Sequence, residues 1–312
     1  MRKLLNVPSS DSYTSIEMWI ILAICSAVGL GFYDVMKKLS VRDNNVPIVL
    51  LLNTLFGTAL MSPVIFNNIA DGGIGLGNSY VGHLQILLKA VIVLSSWILG
   101  YFAIKHLPLT IQGPINASRP VLVLVGALLL FGERLNWVQW CGIALGFLSL
   151  YMISRIGSHD GFDIKHSKWI WLSIGATMLG AVSALYDKYL LKLYEPTEVQ
   201  AWYSLYQCVL MALVVVILRS KGLARDKFKW RWTILGISLF LTAADLCYFY
   251  SLSQPGAMIS VVSMIRRGSV LVSFGYGVAV LGERRDLKSK LIDLGILLLS
   301  LLLLIIGSGM GE

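Results

Sequence analysis

Gly31-Phe32-Tyr33-Asp34-Val35 sets a tyrosine-aspartate pair inside an apolar run, and Leu185-Tyr186-Asp187-Lys188 repeats the pair 153 positions later. Two further motifs recur in the same order. Gly132-Glu133-Arg134 returns as Gly282-Glu283-Arg284 after 150 positions, and Tyr101-Phe102 with Pro108 returns as Tyr248-Phe249 with Pro255 after 147. Three motifs at nearly one offset indicate an internal duplication. A half of that length holds an odd number of membrane spans, so the two copies enter the bilayer in opposite senses. Secondary transporters are built from such inverted repeats.

The composition requires lipid as solvent. Hydrophobic residues make up 56% of the 312 positions and charged residues 14%, and the mean hydropathy is +0.74. A soluble domain carries about 25% charged residues. The apolar runs are continuous and of spanning length, which calls for helices rather than a barrel of alternating strands. The first residues, Met1 to Glu17, show no short apolar core with a small-residue cleavage site, so the first span is expected to act as the insertion signal. The net charge of +9 and pI near 9.4 come mostly from loops, where anionic headgroups and the positive-inside bias account for them. No nucleic-acid partner is expected. Cys25, Cys141, Cys208 and Cys247 lack pairing or ligand spacing and read as small core residues. His83, His106, His159 and His166 lack metal-ligand spacing, so no metal is expected.

Runs of about 20 apolar residues fall near 17–39, 47–68, 84–105, 110–131, 136–155, 168–191, 199–218, 231–252, 257–281 and 288–307. The expected fold is all-α, with ten transmembrane helices in two inverted five-helix repeats, 17–155 and 168–307, joined by a linker at 156–167. Neither linker nor tails suggest a soluble enzyme domain. Gly29 and Gly31, Gly142 and Gly146, and Gly275 and Gly277 are expected at close helix contacts. Trp19, Trp137, Trp140, Trp169, Trp171, Trp230 and Trp232 are expected to form interfacial belts.

Leu129-Leu130-Phe131-Gly132-Glu133-Arg134-Leu135 and Val280-Leu281-Gly282-Glu283-Arg284, closing the fourth and ninth of five plus five spans, resemble the ten-helix EamA-like branch of the drug/metabolite transporter superfamily. The resemblance covers nearly the whole chain. It implies alternating-access movement of a small organic solute through a central cavity, without a bound cofactor, in a multi-pass protein of a bacterial inner membrane. Monomer and homodimer both stand as expected states, with membrane lipids as the surrounding partner.

Ionisable groups inside spans are costly and therefore mark sites. Asp34 and Asp187 occupy equivalent repeat positions and read either as a coupling or gating pair, or as charges neutralised locally by Lys38 and Lys188. Glu133 and Glu283 read as capping or closing ion pairs at helix ends. Asp245 in the eighth span, Arg266 and Arg267 in the ninth and Arg119 in the fourth are the deepest remaining charges. Arginine keeps its proton and presents a fork suited to carboxylate or phosphate, so these residues suggest an anionic or zwitterionic substrate. Two adjacent basic residues on the ninth span are also similar to the phosphate-contacting pair of triose-phosphate/phosphate translocators. Asn53, Trp97, Tyr101, Gln112, Asn116, Tyr203, Tyr206, Gln207 and Tyr248 complete the expected cavity wall.

Two other classes compete. A flippase for a lipid-linked phosphate or glycan would use the same arginines, with an opening towards lipid. An intramembrane aspartyl protease would use two aspartates, but its Gly-x-Gly-Asp motif is absent, because Gly29-Leu30-Gly31 runs into Phe32-Tyr33. For orientation, Lys37, Lys38, Arg42, Arg219, Lys221, Arg225, Lys227, Lys229, Arg284, Arg285, Lys288 and Lys290 all follow odd-numbered spans. Charge bias therefore places those loops in the cytoplasm and both termini outside, whereas the family usually keeps both termini inside.

Overall fold

In the computed structural model, the described residues are 10–41, 44–70, 75–78, 80–106, 119–156, 168–222, 227–269, 271–272, 275–276 and 287–309. They form ten α-helices: α1 (Ser10–Val41), α2 (Val46–Ala70), α3 (Tyr80–His106), α4 (Arg119–Leu130), α5 (Trp137–Ile156), α6 (Lys168–Leu190), α7 (Pro196–Ser220), α8 (Thr233–Ser253), α9 (Ile259–Ile265) and α10 (Leu287–Gly309). No strand occurs among the described residues. Each helix falls on one of the apolar runs, since in lipid a segment without a neighbouring strand satisfies its backbone only by coiling. Six helices, α1, α2, α3, α6, α7 and α8, are long and apolar enough to cross a membrane on their described residues. The expected fourth and ninth spans lie partly outside the described residues, and Arg266–Gly268 continues α9 as a 3₁₀ turn.

The ends of the helices carry the turn chemistry their sequences announce. Pro196 opens α7 at a position that has no amide to lose. Gly132, between α4 and α5, has a φ of 62°, a conformation that costs any side-chain-bearing residue more than glycine.

Helices pack mainly as the pairs α1 with α8, α2 with α7, α3 with α6, and α5 with α10, with α4 and α9 in mutual contact. Exchanging each helix for the one five places along returns the same set of pairs. The hydrogen bonds across the bundle follow this exchange. Ser26 Oγ on α1 donates to the Ala244 carbonyl on α8 at 2.7 Å, and Ser96 Oγ on α3 donates to the Ala176 carbonyl on α6 at 2.7 Å.

The bundle has two unlike faces. At one, Ser251 near the end of α8 bonds Trp19 near the start of α1, and Asn136 bonds Gly307 at the end of α10; this is the terminal face. At the other, Ser40 at the end of α1 meets Thr233 at the start of α8. Lys37, Lys168, Arg219, Lys221, Lys227, Lys229 and Lys288 lie exposed there, making it the basic face. The largest apolar cluster, running from Trp19 through Ile86, Val123, Leu190, Trp202, Phe249 and Ile259 to Leu304, lies wholly in the half nearest the terminal face. The basic half holds only small clusters among its described residues, such as Val49 with Ile234 and Ile237.

Several expectations need correction. Trp19 is buried, not interfacial, because α8 covers it; Trp137, Trp171 and Trp232 are exposed as belts require. Cys25 and Cys141 face outward and Cys208 and Cys247 are half-buried, so the cysteines are not core residues. Gly29 and Gly31 do meet α8 and the residues after α9, and Gly142 and Gly146 meet α10, whereas Gly275 meets nothing among the described residues and Gly277 lies outside them.

Candidate functional site

Polar residues of three helices converge on one narrow pocket inside the bundle. It is lined by Asn53, Thr54 and Gly57 of α2, by Gln200, Tyr203, Ser204 and Gln207 of α7, and by Leu241, Thr242 and Asp245 of α8. On each helix these residues follow a three-to-four spacing, which aligns them on one face. Thr58 Oγ1 donates to the Ser204 carbonyl at 2.9 Å, and Ser238 Oγ donates to the Asn53 carbonyl at 3.1 Å, fixing the three helices around the pocket. Asn53 Oδ1, Gln200 Oε1 and Gln207 Nε2 are buried without a hydrogen-bond partner. Unsatisfied buried polar atoms are rare and costly, and three on one pocket wall form a surface suited to a polar ligand.

Charges surround this pocket. Arg266 Nη2 donates to Asp245 Oδ1 at 2.9 Å, and its guanidinium lies 3.9 Å from the ring centroid of Tyr248, which is buried. Arg119 and Arg267 are electrostatic neighbours of Arg266. The Nε atoms of all three arginines lack partners. Arg119 reaches inward over Gly180 of α6, where a β-carbon would lie 2.5 Å from its guanidinium carbon. Glycine at 180 therefore makes room for the arginine. Asp34 is exposed towards the basic half and is an electrostatic neighbour of Lys37 and Arg267.

The carboxylate of Asp187 has a partner that the chain order does not suggest. Lys89 of α3 donates to it, and both groups are buried. The same ammonium lies 4.5 Å from the Tyr203 ring centroid and 4.2 Å from that of Phe249, so one buried cation joins α3, α6, α7 and α8 directly behind the pocket. Lys188, the expected partner, points elsewhere: it donates to the Ala257 carbonyl and lies 3.9 Å from Glu133. Local spacing fails here because adjacent residues on a helix point about 100° apart.

The expected site residues therefore divide. Asn53, Tyr203, Gln207 and Asp245 line the pocket. Arg266 and Tyr248 adjoin it through Asp245, and Arg119 and Arg267 stand in the same charged cluster. Tyr206 does not join them, because its hydroxyl meets His83 Nδ1 at 2.9 Å on the side facing α3. Gln112, Asn116, the Tyr101 and Lys38 side chains and the Gly282-Glu283-Arg284 motif lie outside the described residues. Lys89, Gln200, Thr54, Ser204 and Thr242 were not expected. Lys89 had a signal, as a lysine deep in an apolar span, and Gln200 stands seven residues before Gln207 on the same face. Among the described residues no cluster of histidine, cysteine or carboxylate is fit for a metal ion.

Residues 17–155 match the EamA-like transporter family. An uncharacterized transporter from Archaeoglobus fulgidus is 21% identical over 252 residues, covering 79% of this chain and 87% of that one. A solved crystal structure superposes with a TM-score of 0.69 over 93% of this chain and 95% of the other, at 13% identity, a likeness of fold. The family match and the relative's name support a membrane transporter. The likeness to the EamA-like transporter family lies in residues 17–155 of the 312.

Proposed function

We propose that the chain is a secondary transporter that moves a small polar organic anion or zwitterion by alternating access, with the pocket between α2, α7 and α8 as its binding site. The observation that carries this reading is the set of unpartnered amide atoms of Asn53, Gln200 and Gln207 on one pocket wall. The charge around it supports the anionic part. Lys89, Arg119, Arg266 and Arg267 oppose Asp187 and Asp245, and an excess of interior cations favours a ligand that neutralises it. Alternating access draws support from the pairing of helices, which is unchanged when residues 17–155 and 168–307 are treated as interchangeable repeats around a linker at 156–167. The basic face is then cytoplasmic and the terminal face external.

A thermal-shift screen of the purified protein against anionic, zwitterionic, neutral and cationic metabolites, followed by uptake of the best stabiliser into liposomes, tests this. Stabilisation by carboxylates or phosphate esters and saturable uptake are expected. Selective stabilisation by cations would overturn the anionic reading, and scrambling of a labelled phospholipid without uptake would make the protein a flippase.

Coupling to protons falls to Asp34. Asp187 is held by Lys89 and Asp245 by Arg266, whereas Asp34 is exposed, facing Lys37 and Arg267. The D34N variant is expected to lose accumulation driven by a pH gradient while retaining solute exchange. Unchanged driven uptake in D34N would remove the coupling role.

A further inference from the structure

Glu133, the middle residue of the repeated motif Gly132-Glu133-Arg134, does not pair with its neighbouring arginine in the sequence. It reaches to the start of α9. Its Oε1 accepts from the Ile259 amide at 2.7 Å, and its Oε2 accepts from the Ser260 amide at 3.2 Å and from the Ser260 hydroxyl at 2.5 Å. Lys188, on α6, stands 3.9 Å from the same carboxylate and donates to the Ala257 carbonyl just before α9. Only 6% of the Glu133 side chain and 11% of that of Lys188 are exposed.

We propose that Glu133, Ser260 and Lys188 form the gate of the terminal face, closed in this structure and released when the pocket turns to that face. The inference rests on the alternating-access reading. The first amides of a helix have no partner within the helix, and α9 takes its cap from Glu133, three residues past the end of α4 and 126 positions away from Ile259 in the sequence. Separating α4 from α9 therefore removes the cap at one stroke and leaves amides, carboxylate and ammonium to be met by water. Such an arrangement has a made and an unmade state with little between, as a gate requires. The large apolar cluster lies directly beneath it, with Val123 and Ala127 of α4, Leu190 of α6 and Ile259, Val262 and Met264 of α9 buried together. On the opposite side Asp34 and Lys37 are exposed. The contacts thus tie together the elements that have to part before a solute can leave by the terminal face.

The test measures pocket access from each side. In full-length protein with Cys25, Cys141, Cys208 and Cys247 replaced by alanine, the T54C variant provides one pocket thiol. A membrane-impermeant thiol reagent is applied to either face of sealed, oriented vesicles. The background protein is expected to label faster from the basic face. Adding E133Q is expected to raise labelling from the terminal face about tenfold and to lower it from the basic face, with S260A and K188M shifting it in the same sense by less. Joining E133C to S260C with a short bifunctional thiol reagent, in protein carrying a tagged solvatochromic probe at position 54 instead of a free thiol, is expected to hold the pocket closed to terminal-face quenchers until the link is cleaved. If the background T54C protein labels from neither face, the reading of this pocket as an alternating-access site fails; if it labels from the terminal face as fast as from the basic face, the closed gate is overturned. If it labels from the basic face and none of E133Q, S260A or K188M changes the ratio, the reading stands and the gate is overturned.

Discussion

Replacing Lys89 with methionine is expected to destabilise the protein by about 3–5 kcal/mol, the range for removing one member of a buried ion pair. The loss is large because Asp187 is then left buried without a cation, while Tyr203 and Phe249 lose the charge that both face. The D187N variant strands the ammonium instead and is expected to fall in the same range. The double variant K89M/D187L, which removes both charges and roughly keeps their volume, is expected to regain most of the loss, since a buried pair replaced by apolar groups is often neutral. Thermal unfolding of the detergent-solubilised protein, followed by tryptophan fluorescence, measures all three. Equal stability of K89M and wild type would mean that water reaches Asp187 and that the pair is not buried in solution.

The second large effect concerns Arg266. Its guanidinium bonds Asp245 and lies over Tyr248, so it is fixed beside the pocket with its Nε lacking a partner. A hydrogen bond to a charged group contributes about 1.5–3 kcal/mol, so R266A is expected to weaken anion binding roughly 10- to 100-fold. R266K retains the charge and loses the planar fork and its stacking on the ring, so it is expected to recover only part of the affinity. Titration of the best-stabilising anion, followed by isothermal calorimetry, measures both. Anion affinity unchanged in R266A would make Arg266 a structural counterion of Asp245.

Hydropathy alone determined that this chain crosses a membrane as helices, because a run of apolar residues in lipid leaves the backbone no other partner. The duplicated motifs Tyr33-Asp34 and Tyr186-Asp187, and Gly132-Glu133-Arg134 and Gly282-Glu283-Arg284, carried the division into two halves, since residue spacing survives in the chain whatever the packing. Residue type marked Asn53, Tyr203, Gln207, Asp245 and Arg266 as polar groups too costly to sit in a span without purpose. Their partners were decided by tertiary structure. Many of these spans are apolar nearly all round, so the sequence gives little sign of which way each helix is turned. Only about 60° of rotation round the helix separates Tyr203 in the pocket from Tyr206 against His83, three residues along the same helix. A step of about 100° sends Asp187 to Lys89, far away in the sequence, and Lys188 to the terminal face with Glu133. Long-range pairing of this kind depends on the angle and register at which helices meet, and those are set only when side chains from several helices fill the same space.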